Sequence, residues 1–445
     1  MNPDIYILLN KSGDLYKPAT QATALAKYSR SSKPAKITAS ELSDSEADKF
    51  NEKWVIQYGH SSVAELATVP VCFEGVSMIA TKYLESYPRG AYSEKSTRYQ
   101  EFTPDFVWPV VPTPETQKYI DELFAEYKDL YEDLLFLSVK HFGHDPGDPA
   151  SYEYGTVKAW AFDIVRNILP CGTKTSLAGV YNLRDLRYLI QDLMNSPNPE
   201  LRRISEGVLE AAKEIVPTLV KDPKPNPTLM GVRSTGYMPS DMLDFKPSLR
   251  VKANRRFCTH PDDAYGLFED ELENVYGSSI YHLEKIMQNR GSSAVPDVFK
   301  SIRVGLDVIM DFGSFRDLAR HRRSEIIYET PNLDYGYIVP EPIRGTEFEP
   351  VFRKSMDKIE TLVFGKDSIP AEMFSYFVPM GYLHQSRFVM DLKQLYYMVE
   401  LRTRPSGHYT YRKVCYDMFI EAKTLYPELM EWCKAVNPAI SGVHY

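Results

Sequence analysis

Asp311-Phe312-Gly313-Ser314-Phe315-Arg316-Asp317-Leu318-Ala319-Arg320-His321-Arg322 is the stretch whose reading decides how the rest of the chain is divided. Taken as a helix, it puts Phe312, Phe315 and Ala319 on one face at i, i+3, i+7 spacing and turns Arg316 and Asp317 elsewhere. It ends in cations, which suit the negative end of a helix dipole. Two guanidiniums flanking an imidazole can grip a phosphate or an electron-rich ring edge. Standing alone, the same triplet reads as the solvated basic end of a core helix. A second half-motif, Gly90-Ala91-Tyr92-Ser93-Glu94-Lys95-Ser96-Thr97-Arg98-Tyr99, changes that balance.

Composition bounds the classes. A chain of 445 residues can hold two or three domains with sizeable cores. Apolar content of 43% and charged content of 25% fit a soluble globular protein. A formal net charge of −8 argues against wrapping nucleic acid, while leaving room for a local basic pocket. The five cysteines (Cys72, Cys171, Cys258, Cys415, Cys433) never form a C-x-x-C pair, which predicts reduced thiols and no metal site. Met1-Asn2-Pro3-Asp4-Ile5 lacks a signal-peptide pattern, and no run reaches the roughly 18 apolar residues of a membrane helix. The expectation is a cytoplasmic protein without a membrane partner.

Read in order, Ser40 is taken as the N-cap of a helix running through Ala47 and Phe50. A Gly59-His60 turn leads into Val69, Val71 and Phe73, whose alternation predicts a strand. A short helix spans about Val76 to Leu84. Thr113-Pro114 opens a long core helix striped by Tyr119, Leu123, Tyr127, Leu130, Leu134 and Leu137. His141 and His144 close it as helix-end histidines rather than a metal pair, since no third ligand is near. Helices follow around Asn182-Leu183-Arg184-Asp185-Leu186 and from about Glu200 to Val216. Residues 221–262, rich in proline, read as a linker between a first repeat (1–220) and a second (263–445). The second part repeats the order of the first: a Gly291-Ser292-Ser293 turn, an apolar stretch through Val304, Leu306 and Val308, the Arg-His-Arg helix, a loop over Glu329 to Tyr337, and a helix from about Glu349 to Phe364. Phe377-Val378-Pro379-Met380-Gly381 corresponds to Ile168-Leu169-Pro170-Cys171-Gly172, and Asp391-x-Lys393 to Asn182-x-Arg184. This is an internal duplication of a unit of about two hundred residues.

The order of these pieces resembles the flavin-dependent thymidylate synthases. In that family an Arg-His-Arg triplet precedes a Ser-x-Arg-Tyr context, with a Gly-His turn upstream and Arg-x-x-Leu-Pro, Asn-x-Arg and Leu-Arg segments downstream. Neither repeat is whole. The first keeps His60, Ser62, Glu94, Ser96, Arg98, Tyr99, Arg166, Asn182 and Arg184, but has Ser86-Tyr87-Pro88 in place of Arg-His-Arg and Leu193 at the Leu-Arg position. The second keeps Arg320-His321-Arg322 and Leu401-Arg402, but has Thr330-Pro331-Asn332-Leu333 in place of Ser-x-Arg-Tyr. The losses are complementary: two degenerate halves can assemble one composite site and leave the reciprocal one dead.

The resemblance implies an α+β fold of two tandem thymidylate-synthase-complementing-protein-like repeats, each a sheet packed on long helices, arranged as a pseudo-dimer. It implies an enzyme that reductively methylates dUMP to dTMP, with FAD as cofactor and methylenetetrahydrofolate and NAD(P)H as co-substrates. Glu94, Ser96, Arg98, Arg166, Asp317, Arg320 and Arg402 would bind dUMP, with Arg402 catalytic in favouring the N3-deprotonated uracil ring. His60, Ser62, Asn182, Arg184, Arg320, His321 and Arg322 would hold FAD. A permanently charged fork stabilises a developing anion without giving up a proton. Two positions depart from the family: Asp317 stands where Gln is usual beside deoxyuridylate, and Tyr188 where Asn is usual in the flavin helix. Cys171 is an alternative nucleophile, as in thiolate-based synthases. The absence of Gly-x-Gly-x-x-Gly excludes a Rossmann cofactor domain. Other readings are a non-catalytic flavin- or nucleotide-binding descendant, or a related transferase acting on another uridine nucleotide or on uridine in RNA, the last disfavoured by the acidic charge. Family members are homotetramers, so two of these chains would pair into a pseudo-tetramer.

Overall fold

A computed structural model describes residues 10–221, 223–225, 247–291, 295–363, 369 and 371–440. Most of the expected linker (222 and 226–246), Ser292 and Ser293 of the Gly-Ser turn, Phe364 and the stretch Met1-Asn2-Pro3-Asp4-Ile5 lie outside the described residues.

The first half begins with helices α1 (Pro18–Tyr28), α2 (Ala35–Ser40) and α3 (Asp44–Asn51), followed by a π-helical turn at Glu52–Gln57. Strand β1 (Thr68–Ser77), α4 (Met78–Leu84), β2 (Ala91–Glu94), α5 (Pro114–His141) and α6 (Gly155–Val165) come next. Then follow β3 (Lys174–Asn182), α7 (Leu183–Met194) and α8 (Pro199–Ile215). The second half opens with β4 (Arg250–Ala253), α9 (Pro261–Asn274), α10 (Ile280–Asn289) and β5 (Arg303–Asp311). It continues through α11 (Phe312–Leu318), β6 (Glu325–Tyr328), α12 (Phe348–Asp357), α13 (Ile359–Val363) and α14 (Ala371–Phe374). It closes with β7 (Leu383–Asp391), α15 (Leu392–Arg402) and α16 (Tyr409–Leu425). The fold is mixed helix and sheet, as expected.

Several boundaries differ from the sequence reading. Ser43, not Ser40, caps α3, because Ser43 and Glu46 form a reciprocal capping box that Ser40 has no partner for. α11 stops at Leu318, so Arg320-His321-Arg322 lies in the turn beyond the helix. The expected helix from Glu349 is broken into α12 and α13 at Lys358. Thr113 does cap α5, in a capping box with Thr116 and with Pro114 in the first turn. Arg250–Ala253, inside the stretch read as linker, forms strand β4.

The chain folds into two compact units. The first comprises Met1–Val76, Ala80–Lys95 and Thr175–Ser234; the second comprises Ser77–Ile79, Ser96–Lys174 and Thr235–Tyr445. Among the described residues the first holds a sheet ordered β1-β3-β2, and the second an antiparallel sheet ordered β4-β5-β7-β6. The order β1-β3-β2 is repeated in β5-β7-β6, and each middle strand runs directly into a helix capped by an Asx side chain, Asn182 or Asp391. The duplication read from sequence is therefore also a duplication of topology. The core of the first unit centres on Tyr181, whose ring meets Phe73, Tyr87 and Tyr92 edge-on and whose hydroxyl donates to the Leu84 carbonyl at 2.9 Å. In the second unit α5 and α6 stack Tyr131 on Phe162 at 4.3 Å, and β5 and β7 are buried almost throughout.

Within the second unit the two corresponding Leu-Pro and Val-Pro segments pair with each other. Cys171 N–H donates to the Val378 carbonyl (2.9 Å) and Met380 N–H to the Leu169 carbonyl (2.9 Å). Gly172 N–H donates to Tyr376 (2.7 Å) and Gly381 N–H to Asn167 (2.8 Å). Pro170 and Pro379 face each other at the centre. Equivalent residues exchange equivalent bonds, which is the pattern of an isologous contact. A Cβ on Gly381 would lie 2.8 Å from Asn167 Cβ and 3.1 Å from its carbonyl oxygen. Gly381→Ala is expected to cost about 1–3 kcal/mol by overpacking this crossing, read as a lower midpoint in urea unfolding.

Candidate functional site

The second unit gathers a set of arginines around Asp317. Arg166 follows the last turn of α6, and its side chain is almost completely buried. Its Nη1 lies 3.4 Å from both Asp317 Oδ2 and Thr97 Oγ1, while Nε and Nη2 have no hydrogen-bond partner among the described residues. The backbone of Gly313 passes close to both groups: a Cβ there would sit 3.1 Å from Asp311 Oδ1 and in ordinary contact, 3.4 Å, with Arg166 Nε. Burial works against charge on Asp317, but Arg166, Arg402, Arg320 and Arg98 together outweigh it and hold the carboxyl well below the usual range. Asp311, the N-cap of α11, goes the other way: burial pushes its carboxyl up despite Arg166.

Arg98 is held by a residue that the sequence reading missed. Its Nε and Nη2 donate to the two oxygens of Asp163, a fully buried carboxylate on α6, at 2.7 and 2.9 Å. Its Nη1 donates to the Tyr411 hydroxyl at 3.3 Å. Asp163 is fixed in turn, because its carbonyl accepts from Asn167 Nδ2 (3.2 Å) and from His408 Nε2 (3.1 Å). The His408 tautomer is set by its surroundings: Nδ1 accepts from Thr410 N–H, leaving the proton at Nε2. Burial, first, and then Arg166 and Arg98 hold His408 neutral. A lone aspartate inside the apolar run Trp160-Ala161-Phe162-Asp163-Ile164-Val165 is the signal that could have exposed this partner.

Arg402 ends α15. Its Nε donates to His321 Nε2 at 2.9 Å, and its guanidinium lies 5.5 Å from the Tyr411 ring, whose centroid is 6.0 Å from the Arg98 guanidinium. Burial, then Arg402, push His321 down to about 3, so the ring is a neutral acceptor with its other nitrogen facing the Gln394 amide at 3.2 Å. The terminal amino groups of Arg402 make no hydrogen bond among the described residues. Ser96 Oγ accepts from the Arg98 N–H at 3.2 Å, and Arg320 is exposed beside Asp317. Ser96, Arg98, Arg166, Asp317, Arg320, His321 and Arg402 thus all belong to one unit, though they come from both repeats.

The remaining sequence-derived residues lie elsewhere. Glu94 belongs to the first unit, where its buried carboxylate takes Lys82 Nζ at 3.2 Å and the Thr81 hydroxyl at 3.0 Å. Asn182 caps α7 through the Asp185 N–H. Arg184 donates to Glu65 at 2.6 Å and stacks on Tyr188. Arg89 closes the same corner on Glu65 and the two oxygens of Asp185. His60 and Ser62 line a cavity of about 400 Å³ in that unit. Arg322, half-buried, lies past the end of α11 in the second unit. The Cys171 thiol is fully buried and pushed well above its ordinary range, which removes the activated-thiolate alternative. His141 stacks on Trp160 and His144 on Tyr154, and the described residues contain no cluster suited to a metal ion.

Among the described residues, the cluster thus holds a buried guanidinium with unsatisfied donors, a second arginine pinned by a carboxylate, and a third with free amino groups, a set with spare donors for an anion. The Thymidylate synthase complementing protein family profile matches residues 14–218 and again 247–428, so the chain belongs to that family, in a tandem form. The chain is 26% identical over 437 residues to a UPF0159 protein of Chlamydia muridarum, covering 89% of this chain and 82% of that one. It is 24% identical over 481 residues to a UPF0159 protein of Thermoplasma acidophilum, covering 93% and 94%. A flavin-dependent thymidylate synthase of Pyrococcus furiosus is 24% identical over 218 residues, which is 48% of this chain and 81% of that enzyme. Among solved structures, the flavin-dependent thymidylate synthase of Helicobacter pylori complexed with FAD and dUMP aligns with a TM-score of 0.29 at 18% identity, over 46% of this chain and 95% of that one. No described helix is long and apolar enough to cross a membrane.

The buried histidines make stability depend on pH. His321 and His384 are each pushed down to about 3 by burial, His384 lying edge-on between Phe312 and Phe315. Unfolded, these rings take a proton below about pH 6.5; folded, they stay neutral until near pH 3. Their contribution is therefore complete above pH 6.5 and is lost as the pH falls toward 3, by up to about 1.4 kcal/mol per pH unit for each ring. Urea unfolding between pH 7 and 5 should show this slope, and His384→Gln should flatten it by about one such increment. Parallel slopes would refute the assignment.

Proposed function

We propose that the protein is a flavin-dependent enzyme that transfers a one-carbon unit to C5 of a pyrimidine deoxynucleotide, in the family's form the reductive methylation of dUMP to dTMP. The observation that carries this reading is the gathering of Arg98 and Arg166 from the first repeat with Arg320 and Arg402 from the second around one partly buried carboxylate, Asp317. Ser96, Arg98, Arg166 and Arg320 would take the nucleotide phosphate, the unsatisfied Nε and Nη2 of Arg166 gaining the acceptors they lack. Arg402, oriented by neutral His321, would face the uracil edge and stabilise the N3 anion that makes C5 nucleophilic.

FAD, when bound, would relay two electrons from NAD(P)H to the methylene carbon supplied by methylenetetrahydrofolate. In the first unit, His60 and Ser62 line an open cavity that suits part of such a group, whereas Arg184 and Asn182 are engaged by Glu65 and Asp185. In the second unit, Arg320, His321 and Arg322 would contribute, with His321 acting through its hold on Arg402. Asp317 favours a second reading, in which the accepted pyrimidine nucleotide differs from dUMP, because it places a fixed negative charge where the family has Gln. The reciprocal bonds around Pro170 and Pro379 support a pseudo-dimer of repeats. Two chains would then form a pseudo-tetramer in a soluble, cytoplasmic setting.

The test is spectroscopic. The purified protein should carry a flavin spectrum that NAD(P)H bleaches fastest in the presence of a uridine nucleotide, with mass spectrometry identifying the C5 product. Arg402→Ala should weaken dUMP binding ten- to hundredfold, the loss of a charge-assisted contact of about 1.5–3 kcal/mol. A colourless protein that binds neither flavin nor nucleotide would overturn the reading.

A further inference from the structure

Tyr411, in the first turn of α16, stands between two arms of the arginine cluster. Its ring centroid lies 6.0 Å from the Arg98 guanidinium and 5.5 Å from that of Arg402, one arginine from each repeat. Its hydroxyl accepts from Arg98 Nη1 at 3.3 Å. The side chain is buried, and among the described residues its own hydroxyl hydrogen goes to no acceptor. A buried tyrosine normally places that hydrogen. Burial, then the Asp317 charge, push the phenol above its ordinary range, so the hydrogen stays on the oxygen.

The neighbouring backbone fixes this ring. A Cβ on Gly407 would lie 2.7 Å from Tyr411 Cε2 and 3.0 Å from its hydroxyl oxygen, so a larger residue there would push the ring from its place. Gly407 N–H closes a turn on the Arg404 carbonyl at 2.9 Å, and His408 then caps α16 through the Thr410 N–H. His408 also donates to the carbonyl of Asp163, whose carboxylate grips Arg98, so Tyr411 and Arg98 hang from one joint. Arg98 gives N–H groups to the Asp163 carboxylate, to the Ser406 carbonyl at 3.5 Å and to the Tyr411 hydroxyl. A hydroxyl that accepts from a guanidinium is polarised into a better donor.

We propose that Tyr411 is a ligand-binding residue of this site, its hydroxyl giving its hydrogen to a phosphate oxygen of the bound nucleotide beside Arg98. The proposal rests on the nucleotide reading above and adds to it a group that the thymidylate synthase resemblance does not assign. A neutral donor suits this place, because it binds the anion without adding another buried cation for Asp163 and Asp317 to compensate. The ring meanwhile holds Arg98 and Arg402 at set distances from one spacer, which ties the grip on the anion to the grip on the pyrimidine.

The test titrates the full-length protein with dUMP by calorimetry, and obtains the Kd of deoxyuridine, which lacks the phosphate, by competition. Tyr411→Phe keeps the ring between the two arginines and removes only the hydroxyl. It should raise the Kd of dUMP roughly tenfold, as expected for a hydrogen bond to a charged group, and leave that of deoxyuridine unchanged. Thermal unfolding without ligand should confirm an intact fold. Tyr411→Leu removes the ring as well and should weaken both ligands. An unaltered dUMP affinity in Tyr411→Phe, or an equal loss for dUMP and deoxyuridine, would overturn the proposal while leaving the nucleotide reading in place. Failure of dUMP to bind the unmodified protein would overturn that reading and the proposal with it.

Discussion

The antiparallel crossing at Pro170 and Pro379 is the constraint on which the second unit depends. A proline has no N–H, so each leaves the pairing to the residues on either side, and the bonds from Cys171, Gly172, Met380 and Gly381 hold the two segments in register. The same Met380 whose N–H binds Leu169 uses its carbonyl to accept from Phe312 and Gly313, the first residues of α11. One short run of backbone therefore joins the end of α6 to the start of α11. Arg166 sits just before the crossing and Asp317 on the helix anchored to it through Met380, and their meeting at 3.4 Å follows from that joint.

Electrostatics then decides what the joint can hold. Burying several guanidiniums together is costly unless anions compensate them. Asp163 compensates Arg98 through a bidentate pair, and Asp317 compensates part of the charge on Arg166, Arg320 and Arg402. Among the described residues Arg166 still has two buried donors unsatisfied. Compensation is thus incomplete in the direction that favours an incoming anion. His321 leaves the charge balance untouched, since a second positive charge beside Arg402 would be expelled by burial.

Much of the arrangement was legible in the chain. The duplication showed in the repeated Leu-Pro-Cys-Gly and Val-Pro-Met-Gly segments, and α5 announced itself through Thr113-Pro114 and its stripe of tyrosine and leucine. Strands β3 and β7 were not visible. β7 is buried on both faces, so His384, Gln385, Ser386 and Phe388 show no alternation, and its polar residues disguised a core strand. The partners of Arg98 were hidden for another reason. Asp163 and Tyr411 lie 65 and 313 residues away in sequence, and the single local hint of either is the lone aspartate in the apolar run from Trp160 to Val165.

The first unit shows why a family motif can survive in sequence without leaving an anion site. Arg89 and Arg184 stand near the position where the other repeat presents its Arg-His-Arg triplet and helix-start lysine. Here Arg89 is turned onto Glu65 and Asp185, and Arg184 onto Glu65 and Tyr188. Two cations matched by two carboxylates leave no net charge and few free donors, so a phosphate entering this corner would have to break pairs already made. Arg166 faces the opposite balance, with donors left over in a buried place. The difference between a spent corner and a poised one lies in which carboxylates the fold brings alongside, and that is a property of the packing rather than of the arginines.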